Sequence, residues 1–320
     1  MANVDHARPR KVGVLDLGSN TILLLVTGAD GAVTRDEARI TRLGQGVFER
    51  GSLAPEAVAR TRQAITDFSR LARAQGVDRL VAVGTEALRR ARDGAEFLAA
   101  LEREGLVDGA RLLTGEEEAE LTIEATRIAV GRHCDALAVI DVGGGSTEVA
   151  WRESRDAAVR GISLPLGSVR LTEAHLPHHP IPAADLAVVR ARVREVSEPL
   201  ARALPAGLAS GAAAIVAVAG TATTLAALEL ELATYDGARV EGFALTRSRL
   251  SEWIERLAKL SVAERRALPG LEPGRADVIV AGLVCLEVAL VRLGAERVTV
   301  SERGVRHGVA LRMLAGHKIV

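Results

Sequence analysis

Aromatic side chains make up only 2% of the 320 residues, too few for the stacking platforms that hold single-stranded nucleic acids. Neither sign of charge is in excess. Lys and Arg number 41, as do Asp and Glu, so no global field draws the chain to nucleic acid or a membrane surface, and a polyanion must be gripped locally. Two cysteines, Cys134 and Cys285, cannot build a disulfide framework; each lies among apolar residues, which points to a small-hydrophobe role and a reducing compartment. The first ten residues are polar and lead straight into an apolar run, without the hydrophobic stretch of a signal peptide, so a cytoplasmic location is expected. Residues 203–228 carry no charge but are mostly Ala, Gly, Ser and Thr with Pro205. A loop, a buried strand at 213–219, a Gly turn and a helix fit them better than a membrane span. Neither a Walker-type Gly-x-x-x-x-Gly-Lys-Ser/Thr nor a Gly-x-Gly-x-x-Gly after a strand occurs, which excludes those two phosphate-binding loops.

The composition that remains, 48% hydrophobic and 26% charged, is that of a globular protein, and the length suits two domains. Strand-like and helix-like runs alternate, the pattern of α/β architecture. Residues 12–17 and 21–27 read as a hairpin, with 31–41 as a third antiparallel strand. A helix is expected over 54–74, strands at 78–83 and 111–114, helical runs over 86–104 with a break near Asp93-Gly94, and a helix over 115–131. The pattern then restarts. An apolar strand ending in Asp16 and the turn Gly18-Ser19-Asn20-Thr21 is matched by one ending in Asp141 and the turn Gly143-Gly144-Gly145-Ser146-Thr147-Glu148. A single repeat at this long spacing indicates a duplicated domain rather than a solenoid.

The chemistry of such a pair is specific. Glycines accept positive φ and let backbone N–H groups approach an anion, and Ser and Thr hydroxyls add donors. The aspartate at each strand end suits a divalent cation. A third turn, Ala219-Gly220-Thr221-Ala222-Thr223-Thr224, lies between a strand and a helix; it is either a phosphate subsite at a helix N-terminus or a plain capped turn. In the helix starting near Glu116, Glu117, Glu120, Glu124 and Arg127 share a polar stripe, whereas Glu118 heads the stripe of Leu121, Ala125 and Ile128 and points inward. Burial there raises a carboxyl toward the range useful to a base. The histidines His175, His178 and His179 lie in a Pro-containing loop that reads as an exposed linker.

Seven motifs stand in the order found in the exopolyphosphatase / guanosine pentaphosphate phosphatase family, which this chain resembles from about residue 11 to about 313. They are Asp16-Leu17-Gly18-Ser19-Asn20-Thr21, Gly84-Thr85-Glu86-Ala87-Leu88-Arg89, Gly115-Glu116-Glu117-Glu118-Ala119, the Asp141–Glu148 segment, Leu166-Gly167-Ser168-Val169-Arg170, the Ala219–Thr223 turn and Ser301-Glu302-Arg303-Gly304-Val305-Arg306. The resemblance implies an α/β fold of two duplicated actin/hexokinase-like (ribonuclease H-like) domains with an interdomain cleft. Their expected limits are 1–130 and 131–320, with a C-terminal helix near 303–314 packing back on the first. It is similar to the short, two-domain form of that family.

The resemblance further implies metal-assisted hydrolysis of a terminal phosphoryl group, from inorganic polyphosphate or guanosine pentaphosphate. It places the catalytic glutamate at Glu118, with a shift to Glu117 left open. Substrate binding falls to Ser19, Asn20, Thr21, Arg89, Gly143, Gly144, Gly145, Ser146, Thr147, Gly220 and Thr221. Mg²⁺, or another divalent cation, falls to Asp141 and Glu148, with Asp16 supporting it. Arg170 and Arg306 are either lining residues of a polyanion channel or surface ion pairs. No nucleic acid or membrane partner is expected; a homodimer is one assembly open to the chain. A sugar- or acetate-type kinase of the same fold and a nucleotide sensor without turnover are the rival readings.

Overall fold

The computed structural model describes residues 10–129, 134–205, 208, 213–317 and 319. The chain packs as two units, one of Met1–Thr114 with Val305–Val320, the other of Gly115–Gly304. The boundary expected near residue 130 lies outside the described residues, and by packing the division falls ahead of the glutamate-bearing helix.

In the first unit, β1 (Lys11–Leu17) and β2 (Thr21–Gly28) form a tight hairpin and β3 (Val33–Ile40) adds the edge. α1 (Val47–Arg50) and α2 (Pro55–Ala74) lead to β4 (Arg79–Gly84), α3 (Glu86–Arg90), α4 (Gly94–Arg103) and β5 (Gly109–Leu112). The sheet order is β3-β2-β1-β4-β5, with β4 and β5 parallel to β1 and its neighbour. β1 is central and buried on both faces, which is why its sequence is nearly all apolar. Pro55 opens α2 where its missing N–H is harmless, and Ala57, Ala64, Ile65, Phe68 and Ala72 bury one stripe. The last strand ends at Leu112, two residues short of the expected position.

The second unit starts with α5 (Gly115–Ala129), followed by β6 (Leu137–Val142), β7 (Thr147–Arg152) and β8 (Arg160–Leu164). Next come α6 (Ser168–His175), α7 (Ala183–Val196), α8 (Glu198–Ala203), β9 (Ala214–Val218), α9 (Ala219–Glu229), α10 (Gly237–Val240), β10 (Ala244–Thr246) and α11 (Arg247–Ala258). α12 (Val262–Arg266), α13 (Ile279–Arg292) and β11 (Arg297–Val300) complete it, and α14 (Val305–Leu314) then joins the first unit, packing on β1 and β2. The sheet order β10-β11-β9-β6-β7-β8 contains the first sheet's order again, β8-β7-β6-β9-β11 standing for β3-β2-β1-β4-β5. α13 is apolar on nearly all sides because it is buried, and Gly282 lets it approach Thr221 and Ser168. No helix among the described residues is long and apolar enough to cross a membrane.

The histidine loop is not wholly solvent-facing. Arg265 is fully buried on α12, where it donates to the carbonyls of Leu257 and Ala276 and meets His179 Nδ1 at 3.1 Å. Burial pushes the Arg265 guanidinium down to about 10, and burial together with that guanidinium holds the His179 imidazole below its ordinary value.

Candidate active site

In the second unit the hairpin register sets Asp141 opposite Glu148, and Glu148 opposite Ser163 on the next strand. Directly opposed residues share a face, so these three form a row across β6, β7 and β8. The Ser163 hydroxyl donates to Glu148 Oε1 at 2.8 Å. Along the same face Leu137, Val139, Ala150, Val216 and Val218 join Ala119 and Ile123 of α5 in one apolar cluster. Gly161 has no Cβ to hold α5 away: a Cβ there meets Ala119 at 2.9 Å, and one on Gly115 meets Ser163 at 3.6 Å. The N-terminal end of α5 therefore lies at the carboxylate row. Among its glutamates Glu116 is exposed, Glu117 half-buried and Glu118 buried, as the helix phase predicts.

The glycine turn is held from below by α6. Ser168 N donates to Gly143 O at 2.9 Å, and Val169 N and Arg170 N donate to Gly144 O at 2.9 and 3.1 Å. Gly167 permits this closure, since a Cβ there falls 2.3 Å from Gly144 O. None of Gly18, Gly143, Gly144 and Gly145 adopts the left-handed conformation expected for them. Gly18 and Gly143 serve crowding instead, with Thr21 O and Ser146 O at 2.9 and 3.3 Å from the absent Cβ atoms. Ser146 is buried. Thr147 and Thr221 commit their hydroxyl protons to Leu166 O at 2.6 Å and Val142 O at 3.1 Å, which makes them ties between loop and frame. At the third turn the Arg275 guanidinium lies on the bare face of Gly220, 2.1 Å from where a Cβ would stand. No motif announces Arg275; it is the last residue of the short 3₁₀ turn Pro273–Arg275, far from Gly220 in sequence.

In the first unit Asp16 ends β1 with little exposure, and burial raises its carboxyl from 3.8 to about 6 against the pull of Arg306. Arg306 is itself buried and donates to both oxygens of Asp36, at 3.0 and 2.8 Å, so it forms an internal ion pair rather than a channel wall. The Ser19-Asn20-Thr21 turn is buried and braced from the segment after β3: Thr41 N and Arg42 N both donate to Asn20 O, and Gly44 N to Ser19 O. Asn20's side-chain Oδ1 and Nδ2 are buried and unpartnered. A polar amide in that state costs stability unless a ligand or water meets it. Arg89 is oriented by Leu113 O at 2.7 Å and by Glu86 Oε2 at 2.9 Å, while Arg90 takes the other Glu86 oxygen at 2.8 Å.

Asp141 and Glu148 fit a hard divalent cation of the Mg²⁺ kind, which is commonly held by one or two carboxylates, waters and substrate phosphates. A self-sufficient protein cage is absent among the described residues, where no group of three or more His, Cys, Asp or Glu is poised to hold a metal. The duplicate row in the first unit is Asp16, Leu23 and Ala38, with one carboxylate only.

Two copies of one five-strand order, each with an acid at the end of its first strand and a small-residue turn after it, define an α/β protein of the actin- and hexokinase-like class built to handle phosphate. Within that class the chain belongs to the Ppx/GppA phosphatase family, whose signature matches residues 28–317. It is 36% identical over 321 residues to Exopolyphosphatase 2 of Mycobacterium tuberculosis, covering 96% of this chain and 99% of that one. The crystal structure of the Aquifex aeolicus family member has a TM-score of 0.78 at 30% identity, over 96% and 98% of the two chains. An exopolyphosphatase from Cytophaga hutchinsonii has a TM-score of 0.84 at 25% identity, over 96% and 99%.

Proposed function

We propose that this phosphatase is an exopolyphosphatase that removes the terminal phosphoryl group of inorganic polyphosphate as orthophosphate. The observation that carries the reading is the Asp141–Glu148 pair, in register at the end of the helix that buries Glu118. Relatives named exopolyphosphatase, at 31–36% identity over most of the chain, support the substrate class. In this reading the Glu118 carboxylate takes a proton from the attacking water as its oxygen bonds to the terminal phosphorus. The anhydride P–O bond breaks, and the shortened chain leaves with the bridging oxygen. Asp141 and Glu148 would hold Mg²⁺, which when bound would neutralise phosphate charge; Asp16 is the matching acid of the first unit. In the first unit Asn20, with its unpartnered amide, and Ser19 and Thr21 offer donors to phosphate oxygens; in the second Ser146 and the Gly143–Gly145 amides offer theirs. Arg89 offers a fork suited to phosphate, and Gly220 with Thr221 forms a further subsite, to which Arg275 adds charge. Cys134 and Cys285, not joined in a disulfide, suit work in the cytoplasm.

The test is orthophosphate release from long-chain polyphosphate and from guanosine pentaphosphate, each with Mg²⁺ and with a chelator. Polyphosphate is expected to be cleaved only with the cation. Glu118→Gln is expected to lower turnover by ~10²–10⁴-fold while polyphosphate binding persists. Undiminished turnover by that variant removes Glu118 from the mechanism, and loss in Glu117→Gln instead moves the base by one residue. Release from the nucleotide alone reassigns the substrate, and acceptor-dependent consumption of ATP reassigns the class to a kinase.

A further inference from the structure

We propose that Ser163 is a positioning residue for Glu148, fixing the orientation in which that carboxylate shares a cation with Asp141. The inference rests on the cation assignment just made. Two carboxylates opposed on adjacent strands repel each other, and a glutamate side chain has ample rotamer freedom with which to swing away. One hydroxyl placed on the far side of Glu148 opposes both tendencies. Ser163 is in that place: it is the cross-strand partner of Glu148 on β8, and its hydroxyl donates to Oε1 at 2.8 Å. Ser163 is exposed, so core packing does not call for it.

The duplicated fold supplies an internal control. At the equivalent positions of the first unit, where Leu23 stands for Glu148, Ala38 stands for Ser163. The hydroxyl and the carboxylate are thus present together in one copy and absent together in the other. The neighbourhood adds a second constraint, because the same serine lies under Gly115 at the start of α5. Its hydrogen bond thereby fixes Glu148 relative to the turn that carries Glu117 and Glu118.

The experiment measures Mn²⁺ binding to the full chain by electron paramagnetic resonance, without substrate, for wild type, Ser163→Ala, Ser163→Thr and Glu148→Gln. Melting temperatures are recorded alongside, as is the Mg²⁺ concentration giving half-maximal orthophosphate release. Loss of an outer-shell partner typically weakens metal affinity ~10–100-fold, so Ser163→Ala is expected to weaken Mn²⁺ by about tenfold or more and to raise the Mg²⁺ requirement by a similar factor. The melting temperature and the rate at saturating Mg²⁺ should stay unchanged, and Ser163→Thr, which keeps the hydroxyl, should bind as wild type. Wild-type affinity in Ser163→Ala alongside loss in Glu148→Gln overturns the role of Ser163 alone. Wild-type affinity in both overturns the cation assignment and the role of Ser163 with it. Weakening that Thr does not rescue, accompanied by a lower melting temperature, assigns Ser163 to the framework and likewise overturns the proposal.

Discussion

Replacing Asp16 by Asn tests whether the carboxylate at the end of β1 is kept at a cost to the fold. Burial lifts this carboxyl from 3.8 to about 6 even with Arg306 nearby. At about 1.4 kcal/mol per pH unit, that rise corresponds to about 3 kcal/mol of instability once the group is fully ionised. The folded state holds the proton more tightly than the unfolded one. Wild-type stability from this group is therefore full below about pH 4 and lost as the pH climbs through 6. Asn has nearly the same shape and never ionises, and Arg306 keeps its two bonds to Asp36. Asp16→Asn should thus gain up to about 3 kcal/mol at pH 7.5, and the gain should shrink below about 1 kcal/mol at pH 4. Urea unfolding of both proteins at the two pH values in chelator measures this, and orthophosphate release at pH 7.5 should fall in the same variant. An Asn variant no more stable than wild type at pH 7.5, or a gain that persists undiminished at pH 4, refutes the reasoning.

Gly161→Ala places a methyl carbon 2.9 Å from Ala119 and should cost about 1–3 kcal/mol as α5 is forced off the sheet, with a matching fall in phosphate release. Gly115→Ala, whose methyl meets Ser163 at an ordinary 3.6 Å, should melt close to wild type, so equal damage in the two variants argues against the close seating of α5. His179 should make the second unit acid-sensitive. Burial first, then the Arg265 guanidinium and His178, hold its imidazole low, with Asp277 opposing. The unfolded chain therefore takes up the proton first, and stability present above about pH 6.5 is lost as the pH falls. His179→Gln should flatten the change in urea midpoint between pH 7.5 and 5.5, and an unchanged slope excludes this histidine as the cause.

Much of this molecule is legible in its residues because the cues are local. Hairpins follow from apolar runs broken by Gly-Ser-Asn-Thr or Gly-Gly-Gly-Ser-Thr, and the restart at Asp141 foretells a repeated strand order, which both sheets show. Burial of Glu118 follows from helix phase alone. What escapes is non-local. An amphipathic helix does not say which sheet it covers, so the home of α5 cannot be read from its stripe. Ser163 sits on a strand with no motif and acquires meaning only through register with Glu148. Arg275 reaches Gly220 through the fold. The glycine turns mislead differently: their composition suggests left-handed backbone, whereas at Gly18 a neighbouring carbonyl leaves no room for a side chain and at Gly143 one crowds it.

The helix after β5 covers the second sheet, and the helix after β11 returns to cover the first. This crossing sets an order on biosynthesis. As the chain leaves the ribosome, β1 to β5 are made well before α14, the helix that packs on β1 and β2. The early-made sheet must wait with oily surface bare, a natural client for a holding chaperone. A chain cut short of Val305 lacks the helix that packs on β1 and β2 and leaves their apolar side chains uncovered for good.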